Sequence, residues 1–347
     1  MAGLLLADVI AKGASARDLS DDIALVEAES YPLTSAIPKT TQDNANVLME
    51  WPVDKLDAPK DAATIEKDFT EFAAPFQNFG LLQNRTQYCV RGPYLIGHRA
   101  DGSQNLAGYK RKVAQALAKG VREHKRDLEI LVSSEQEAQV GNGTDVTPDK
   151  SRMIGKYISA TAQSVYPVPD AHLVPSASIY SGTLSALTER GTSGSVQSVF
   201  GSMYGVVQNR ITRTLVVGKD LKAKFSDFNL TPALPSNTAV ARRIEGDPAK
   251  IDVNVEVYSN DTGMAELLVT PFLNWTFNSD KTVTDPGAAS ANYGYALDLS
   301  NWNLFFKKRP QARPLPDLGA GERFVVESEL GLKCLNPRGE GAFKITS

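Results

Sequence analysis

The sequence predicts an α+β protein, and three features of its 347 residues lead to that class. The first is a run at residues 105–140 that has the pattern of one amphipathic helix. The second is a set of short segments in which apolar and polar residues alternate, as they do in half-buried strands. The third is the length of the chain, which suits about two domain-sized units with apolar cores.

The predicted helix is two to three times the usual length. Ser103 or Asn105 can cap its start, and Gly141-Asn142-Gly143 supplies a stop. A helix of this length would extend roughly 50 Å, farther than a compact domain is wide. We therefore expect this helix to extend along a flat protomer or through an assembled structure. The alternative is a long surface helix of an ordinary enzyme. Its apolar stripe contains Leu106, Tyr109, Val113, Leu117, Val121, His124, Leu128 and Leu131.

A charge on this stripe is expected to disrupt the protomer, because it would be buried without a partner. The stripe position chosen for this expectation is Leu117, replaced by aspartate. The sequence thus predicts that the whole stripe faces the protein interior.

The first 52 residues contain too few apolar groups to form a core of their own. We expect them to form an arm on another surface, with extended backbone between the prolines at 32 and 38. From residue 53 to 103, aromatic side chains lie in a polar, strand-like setting, and Thr86, Tyr88 and Val90 alternate with polar neighbours. A long hairpin of this kind would be marginal alone. A neighbouring subunit is therefore expected to complete it.

A proline-rich connector at residues 164–176 is expected to lead to a second unit, a small mixed sheet with helices. Residues 213–218 have the pattern of a buried strand, followed by a short helix at 219–225. Two further strands are expected on either side of a turn at 259–263. Residues 184–207 could hold a pair of helices, and residues 326–334 alternate as a strand whose following turn should reverse the chain into 342–346.

The composition argues against several functional classes. A formal net charge of −3 offers no basic field for direct nucleic-acid recognition. Cys89 and Cys334 form no CxxC pair, so neither a disulfide framework nor a structural zinc site is indicated. No run approaches the roughly twenty apolar residues of a membrane span, and we expect no membrane partner.

No catalytic constellation stands out, and we expect neither enzymatic activity nor a cofactor or metal. His98, His124 and His172 lack a partner motif for acid–base chemistry. The serine of Gly201-Ser202-Met203-Tyr204-Gly205 lies one position too early for a nucleophile elbow. Gly141-Asn142-Gly143 lacks the third glycine of a dinucleotide-binding loop. An enzyme with an unrecognised site is the weakest alternative.

The order of these parts resembles the major capsid protein of tailed bacteriophages with the Hong Kong 97-type (HK97-like) fold. The resemblance covers nearly the whole chain through the order and spacing of a few stretches. These are Tyr31-Pro32-Leu33-Thr34-Ser35, Glu50-Trp51-Pro52-Val53-Asp54-Lys55-Leu56, Asn84-Arg85-Thr86-Gln87-Tyr88, Glu123-His124-Lys125-Arg126-Asp127-Leu128-Glu129 and Val326-Glu327-Ser328-Glu329-Leu330-Gly331-Leu332.

The resemblance implies a division of the chain into the parts of that fold. It makes residues 1–52 the N-terminal arm, 53–103 the extended β-hairpin loop and 104–140 the spine helix. The peripheral domain would combine that helix with residues 141–177 and with return strands at 297–347. Residues 178–296 would form the axial domain.

The implied function is that of a major capsid protein, which self-assembles as hexamers and pentamers into an icosahedral head shell around double-stranded DNA. The chain would belong to the virion capsid and would assemble in the bacterial host cytoplasm. Implied partners are other copies of itself, a portal and a scaffolding protein, which a cement or decoration protein could join. Two alternatives stay open: an encapsulin-like compartment shell, and another virion component such as a decoration or tail-tube protein.

Two properties of some family members are not transferred to this chain. No motif identifies a lysine, asparagine and glutamate that would crosslink subunits. An N-terminal scaffold domain removed by a protease is not expected either, because the predicted rod begins near residue 105. A separate scaffolding protein is expected instead.

The resemblance also assigns two sets of candidate contact residues. Subunit contacts are expected from the arm and the extended loop, whose wrapped interfaces can bury several thousand Å². Weak DNA contacts without sequence preference are expected from basic residues of the helix, which could equally only solvate it or pair with neighbours. The interface candidates are Tyr31, Leu33, Trp51, Phe69, Phe72, Phe76, Phe79, Tyr88 and Arg91. The DNA-facing candidates are Lys110, Arg111, Lys112, Lys119 and Arg122.

Overall fold

The computed structural model describes residues 31–41, 46–56, 79–97, 112–144, 146–208, 211–230, 256–278, 282–316, 319 and 321–345. Predictions that concern residues 1–30 and 98–111 lie outside these ranges. The same holds for the candidates Phe69, Phe72, Phe76, Lys110 and Arg111, and for the side chain of Lys112.

Strands and helices alternate irregularly along the described chain, as expected for an α+β protein. The helices are α1 (Pro32–Ala36), α2 (Lys112–Ser133), α3 (Ile154–Tyr157), α4 (Val196–Val207), α5 (Lys219–Leu230) and α6 (Ala288–Ala291). The strands are β1 (Lys39–Thr41), β2 (Leu48–Val53), β3 (Gly80–Arg85), β4 (Gln87–Gly97), β5 (Ile179–Tyr180), β6 (Ile211–Val217), β7 (Val257–Asn260), β8 (Gly263–Val269), β9 (Thr276–Phe277), β10 (Val283–Thr284), β11 (Gly294–Leu297), β12 (Trp302–Leu315), β13 (Gly321–Cys334) and β14 (Gly341–Phe343).

The long helix ends earlier than the sequence predicts. Helix α2 ends at Ser133, seven residues before the predicted end at residue 140. The hydroxyl of Ser134 donates to Leu131 O at 2.7 Å, and the single hydrogen of the Ser133 hydroxyl is shared between Phe272 O and Ile130 O. These serines satisfy carbonyls of the last turn and so replace the continuing helix. The 22 residues of α2 extend roughly 33 Å.

The apolar stripe of α2 is buried only in its C-terminal half. His124, Leu128 and Leu131 are buried, whereas Leu117 is 36% exposed. The expectation that Leu117 lies in the interior is therefore wrong for the protomer by itself. In the N-terminal half of α2, Gly120 is buried against Tyr94 of β4, whereas Val113 and Val121 are half-buried.

Leu117→Asp is accordingly expected to lower the free energy of unfolding of the isolated protomer by about 1–2 kcal/mol, because the Leu117 side chain is only partly covered. Leu128→Asp serves as the matched control, because the same charge there would be buried without a partner. Urea unfolding of both variants measures the difference. Equal losses in the two variants would contradict the exposed position of Leu117.

A four-stranded sheet packs on α2, in the order β1–β12–β13–β4. Strands β12 and β13 pair antiparallel along most of their 14 residues each, and β4 pairs antiparallel with the other side of β13. The side chain of Ser328 in β13 faces the helix, where its hydroxyl lies 2.7 Å from His124 Nε2. Because side chains alternate across a strand, Glu327 and Glu329 lie on the opposite face of the sheet.

The described part of the N-terminal arm docks on its own protomer. Residues 32–36 are helical, so the expected extended backbone is wrong there, and Pro32 fits because the first helical position needs no N–H. The buried Glu129 carboxylate of α2 accepts hydrogen bonds from Leu33 N and Thr34 N, both at 2.8 Å. The Tyr31 hydroxyl donates to Arg122 O at 2.9 Å.

Strands β2 and β3 form the base of an antiparallel hairpin. Their pairing runs from Leu48 opposite Arg85 to Val53 opposite Gly80, so residues 54–79 connect the two strands at the far end. The hairpin thus begins inside the segment that was expected to be arm. Strand β4, which was expected to belong to the loop, is instead part of the four-stranded sheet.

The second sheet has six strands in the order β5–β14–β11–β6–β8–β7. The expected strand at 213–218, the helix after it and the strand pair around 259–263 are present as β6, α5 and β7–β8. In the turn, Asn260 Oδ1 accepts hydrogen bonds from Thr262 N at 3.1 Å and Gly263 N at 2.9 Å. Of the helix pair expected at 184–207, only α4 is present.

The C-terminal strand does not return onto β13, which corrects the expected reversal. Strand β14 pairs antiparallel with β11 and parallel with β5, inside the six-stranded sheet. One apolar cluster includes Tyr295 and Ala342 from this sheet and Leu330 from the other. The two sheets therefore share a core, and the assignment of residues 178–296 and 297–347 to separate domains stays a prediction.

Candidate assembly surfaces

The hairpin base is fixed to the body of the protomer. Leu82 and Asn84 of β3 are fully buried. The two amide hydrogens of Asn84 are shared among three acceptors, Ser151 Oγ at 3.1 Å, Arg152 O at 3.1 Å and Leu332 O at 2.6 Å. Its Oδ1 accepts hydrogen bonds from Arg152 N at 2.8 Å and from Arg85 N at 2.9 Å. One side chain therefore joins β3 to the 151–152 segment and to β13.

The distal end of the same hairpin carries uncovered apolar side chains. Leu56 is 92% exposed and Phe79 is 68% exposed, although both immediately flank the segment 57–78. Leu81 is also exposed, one residue from the fully buried Leu82. Single exposed apolar residues are ordinary, but three of them beside one pair of strands indicate a candidate contact surface.

Strand β4 adds a second group of exposed apolar side chains. Tyr88, Val90 and Leu95 are each about half exposed. Beside Tyr88, the Glu327 carboxylate is buried under the side chains of its partners and accepts hydrogen bonds from Lys308, Tyr88 and Arg313. This face of the sheet therefore combines compensated charges with apolar groups at the β4 edge. We call it the outer sheet face.

Hydrogen bonding sets the charge state of Glu327. Burial by itself would raise the pKa of this carboxyl, but the bonds from Lys308, Tyr88 and Arg313 outweigh burial and lower the pKa to about 2. Because the pKa in the folded state is below that in the unfolded state, this group stabilises the fold above about pH 4.5. The stabilisation is lost as the pH falls towards 2.

Glu327→Gln is expected to lower the melting temperature at pH 6, and the difference from the wild type should shrink as the pH falls from 4.5 to 2. Melting followed by circular dichroism across this pH range measures it. Glu322→Gln is the control, because Glu322 is an exposed carboxylate of the same strand. A difference that stays constant down to pH 2 would contradict the assigned ionisation of Glu327.

A half-buried ionic cluster joins β4 to α2 on the inner side of the sheet. The Arg91 guanidinium lies 2.7 Å from Asp127 Oδ2 and 3.3 Å from Glu123 Oε2. The Tyr94 hydroxyl donates to Glu123 at 2.6 Å, and burial together with this bond raises the pKa of Tyr94 to about 12. Burial and the nearby Arg91 lower the pKa of His124 to about 4, so its imidazole is neutral at pH 7.

Three interface candidates have partners within their own protomer, and their role in subunit contacts stays a prediction. Leu33 is fully buried in the protomer's own core. Trp51 is buried too, and its Nε1 donates to Cys334 O at 2.9 Å. Arg91 forms its ion pairs with α2 of the same chain. In each case the partner lies far away in sequence and no local pattern reveals it.

The remaining described candidates lie at or near the surface. Phe79 and Tyr88 are exposed, whereas Tyr31 is half-buried. Lys119 is 70% exposed and lies 3.8 Å from Glu123, and Arg122 is exposed on the same helix. Sequence reasoning missed Leu56, Leu81, Val90 and Leu95. Val90 could have been found, because it shares the face of Tyr88 in a strand of period two.

The described residues include no candidate metal cluster and no candidate membrane-spanning helix. Among them, no cluster of three or more His, Cys, Asp or Glu side chains is arranged to hold a metal ion. Within the same ranges, no helix combines the length and the apolar character needed to cross a membrane.

The fold is similar to several solved structures. The capsid of a native GTA particle matches with a TM-score of 0.57 and 12% identity, over 99% of this chain and 100% of that chain. A structure from Gordonia phage Cozz matches with a TM-score of 0.57 and 10% identity, over 99% and 95%. The capsid of cyanophage P-SCSP1u gives 0.57 and 10%, over 96% and 94%. At these identities the likeness shows the fold, which is HK97-like.

The sequence itself identifies the family. No curated protein matches the chain. A family model described as the SU10 major capsid protein matches residues 8–347, which is nearly the whole chain. This match favours a structural role in a phage capsid over the compartment-shell, decoration and tail-tube alternatives. The chain therefore belongs to the SU10 major capsid protein family and is a major capsid protein of the virion.

Proposed function

We propose that this protein forms hexamers and pentamers that close into an icosahedral head shell around the double-stranded DNA of a tailed phage. The proposal rests on the difference in burial between the two ends of the β2–β3 hairpin. Its base is held by buried hydrogen bonds of Asn84, whereas Leu56 and Phe79 at its distal end are uncovered. Because Leu56 and Phe79 are exposed in the protomer, another copy is the surface proposed to cover them.

In this proposal the hairpin end contacts a neighbouring copy and the outer sheet face receives contacts from another. Phe69, Phe72 and Phe76 would take part with Phe79 and Tyr88. Wrapped obligate interfaces bury several thousand Å², and that scale suits a shell that resists the pressure of packaged DNA. The proposed role is structural throughout and involves no catalysis and no cofactor.

We further propose that DNA contacts the exposed face of α2 weakly and without sequence preference. Lys119 and Arg122 lie on that face, and Lys110, Arg111 and Lys112 would extend it. A chain with a net charge of −3 does not hold the genome tightly. Binding of assembled capsomers to duplex DNA should therefore be abolished by moderate salt, and salt-insensitive binding would contradict the proposal.

Assembly in the bacterial host cytoplasm would require further partners. A scaffolding protein would set the curvature, a portal would occupy one vertex, and a cement or decoration protein could reinforce the outside.

Co-expression with the scaffolding protein from the same phage, followed by electron microscopy, tests the proposed shell. The expected result is closed particles with five-fold and six-fold capsomers. Particles that enclose an enzyme in place of scaffold or DNA would support the compartment-shell alternative. Tubes or isolated rings as the sole products would contradict the head-shell proposal.

A further inference from the structure

Two short connections link the six-stranded sheet to the four-stranded sheet, and they lie side by side. Residues 298–301 lead from β11 to β12, and residues 335–340 lead from β13 back to β14. Leu335 N donates to Asn301 O at 2.8 Å, which joins the two connections directly. These residues therefore join the two sheets at one place, in addition to the apolar core that the sheets share.

A single buried carboxyl group bridges both connections. Glu340 is fully buried at the end of the second connection. Its Oε2 accepts a hydrogen bond from Asp298 N at 2.8 Å, and its Oε1 accepts one from Asn301 Nδ2 at 3.2 Å. Both donors belong to the first connection. The side chain thus joins the two connections from the inside.

Arg213 of β6 anchors this bridge to the centre of the six-stranded sheet. Its side chain is nearly buried, with Nη1 at 3.2 Å from Asp298 Oδ2 and Nη2 donating to Gly339 O at 2.9 Å. The guanidinium therefore contacts one residue from each connection. Together, Glu340, Arg213 and Asp298 link β6 to the two segments between the sheets.

We infer that Glu340, Arg213 and Asp298 form a proton-sensitive joint between the two sheets, in which the charge state of Glu340 sets how firmly the connections are held. Because this carboxyl group is buried beside one cation and one anion, water does not stabilise its charged form. Gain or loss of its proton therefore changes the bonds at the point where the sheets are linked.

The charges around Glu340 determine the direction of the effect. Burial, which is the largest influence, and the Asp298 carboxylate favour the neutral acid, whereas Arg213 and the donors Asp298 N and Asn301 favour the carboxylate. Cys334, at the end of β13, is the other titratable group facing it. Burial prevails, and the pKa of Glu340 is raised to about 8.

The sign of the pH dependence follows from this raised pKa. Because the folded state binds the proton more tightly than the unfolded state, the contribution of Glu340 to stability is complete below about pH 4.5. It is lost as the pH rises to about 8. The joint is firmest when Glu340 is neutral and loosens in mildly alkaline solution.

Glu340→Gln removes the titration while keeping an acceptor for Asp298 N. Between pH 6 and pH 9, the melting temperature of the assembled wild-type protein should fall by at least about 3 °C more than that of the variant. The exposed Glu322→Gln on β13 is the matched control and should retain the wild-type pH dependence. An unchanged pH dependence in Glu340→Gln would overturn the inference.

Hydrogen exchange of the wild type tests the joint even if Glu340→Gln does not fold. The protection factor of the Asp298 amide should fall about tenfold between pH 6 and pH 9, relative to that of Leu215 in the centre of β6. Leu335 N–H should lose protection in parallel, because it bridges the same connections. Equal protection ratios at both pH values would refute the proposed joint.

Discussion

Replacing residues 54–79 with an Asn-Gly turn is expected to give a folded protomer that no longer forms closed shells. Val53 and Gly80 are the last paired residues of the hairpin, and a two-residue Asn-Gly turn suits the twist of an antiparallel pair. The base keeps Leu82 and the Asn84 hydrogen bonds, so the protomer retains its core. Circular dichroism should show native melting, while electron microscopy of an assembly reaction should show no closed shells.

The control for this replacement is a substitution that removes an exposed apolar side chain outside the hairpin. Val146 is 90% exposed and lies outside the hairpin, so Val146→Ser should assemble as the wild type does. Phe79→Ser, at the end of the deleted segment, should lower the yield of shells without changing the melting temperature. Normal shells from the turn replacement would show that the hairpin end is not a subunit contact.

Asn84→Ala is expected to lower the free energy of unfolding by about 3 kcal/mol or more. The truncation leaves Arg152 N and Arg85 N without their acceptor and removes the donor to Leu332 O. Each buried group left without a partner costs roughly 1–3 kcal/mol. Urea unfolding measures the loss directly.

Gln83→Ala is the matched control for Asn84, since the neighbouring amide is bonded to Glu50 at the protein surface. Its substitution should change the free energy of unfolding by about 0.5 kcal/mol or less. Similar losses at positions 83 and 84 would mean that the Asn84 network does not hold the hairpin base.

The elements predicted correctly are those whose pattern is local. Helix α2 has a period near 3.6 over many residues, and the turn before β8 has an asparagine and a glycine at the positions that the turn requires. The early end of α2 was missed because serines after a helix are compatible with either continuation or termination. Only their bonds to Ile130 O and Leu131 O decide between the two.

Two of the interface candidates have partners inside their own protomer that the sequence pattern does not reveal. Apolar residues in a polar arm look as though they must be covered by another chain, but a buried residue of the same chain can cover them. Leu33 N is bonded to Glu129, and Trp51 to Cys334, across 96 and 283 positions of sequence. The pairing of β14 with β11 was missed for the same reason, because a turn signal does not say which strand the chain meets next.

In the described part of the chain, the base of the β2–β3 hairpin is fixed to its own protomer, whereas Leu56 and Phe79 are exposed. The most direct measurement is a cryo-electron microscopy reconstruction of assembled wild-type shells that resolves residues 54–79. The expected result is that this segment of each copy lies against a neighbouring copy, with Phe79 and Leu56 covered there. A segment folded back onto its own protomer in every copy would contradict the proposed mode of assembly.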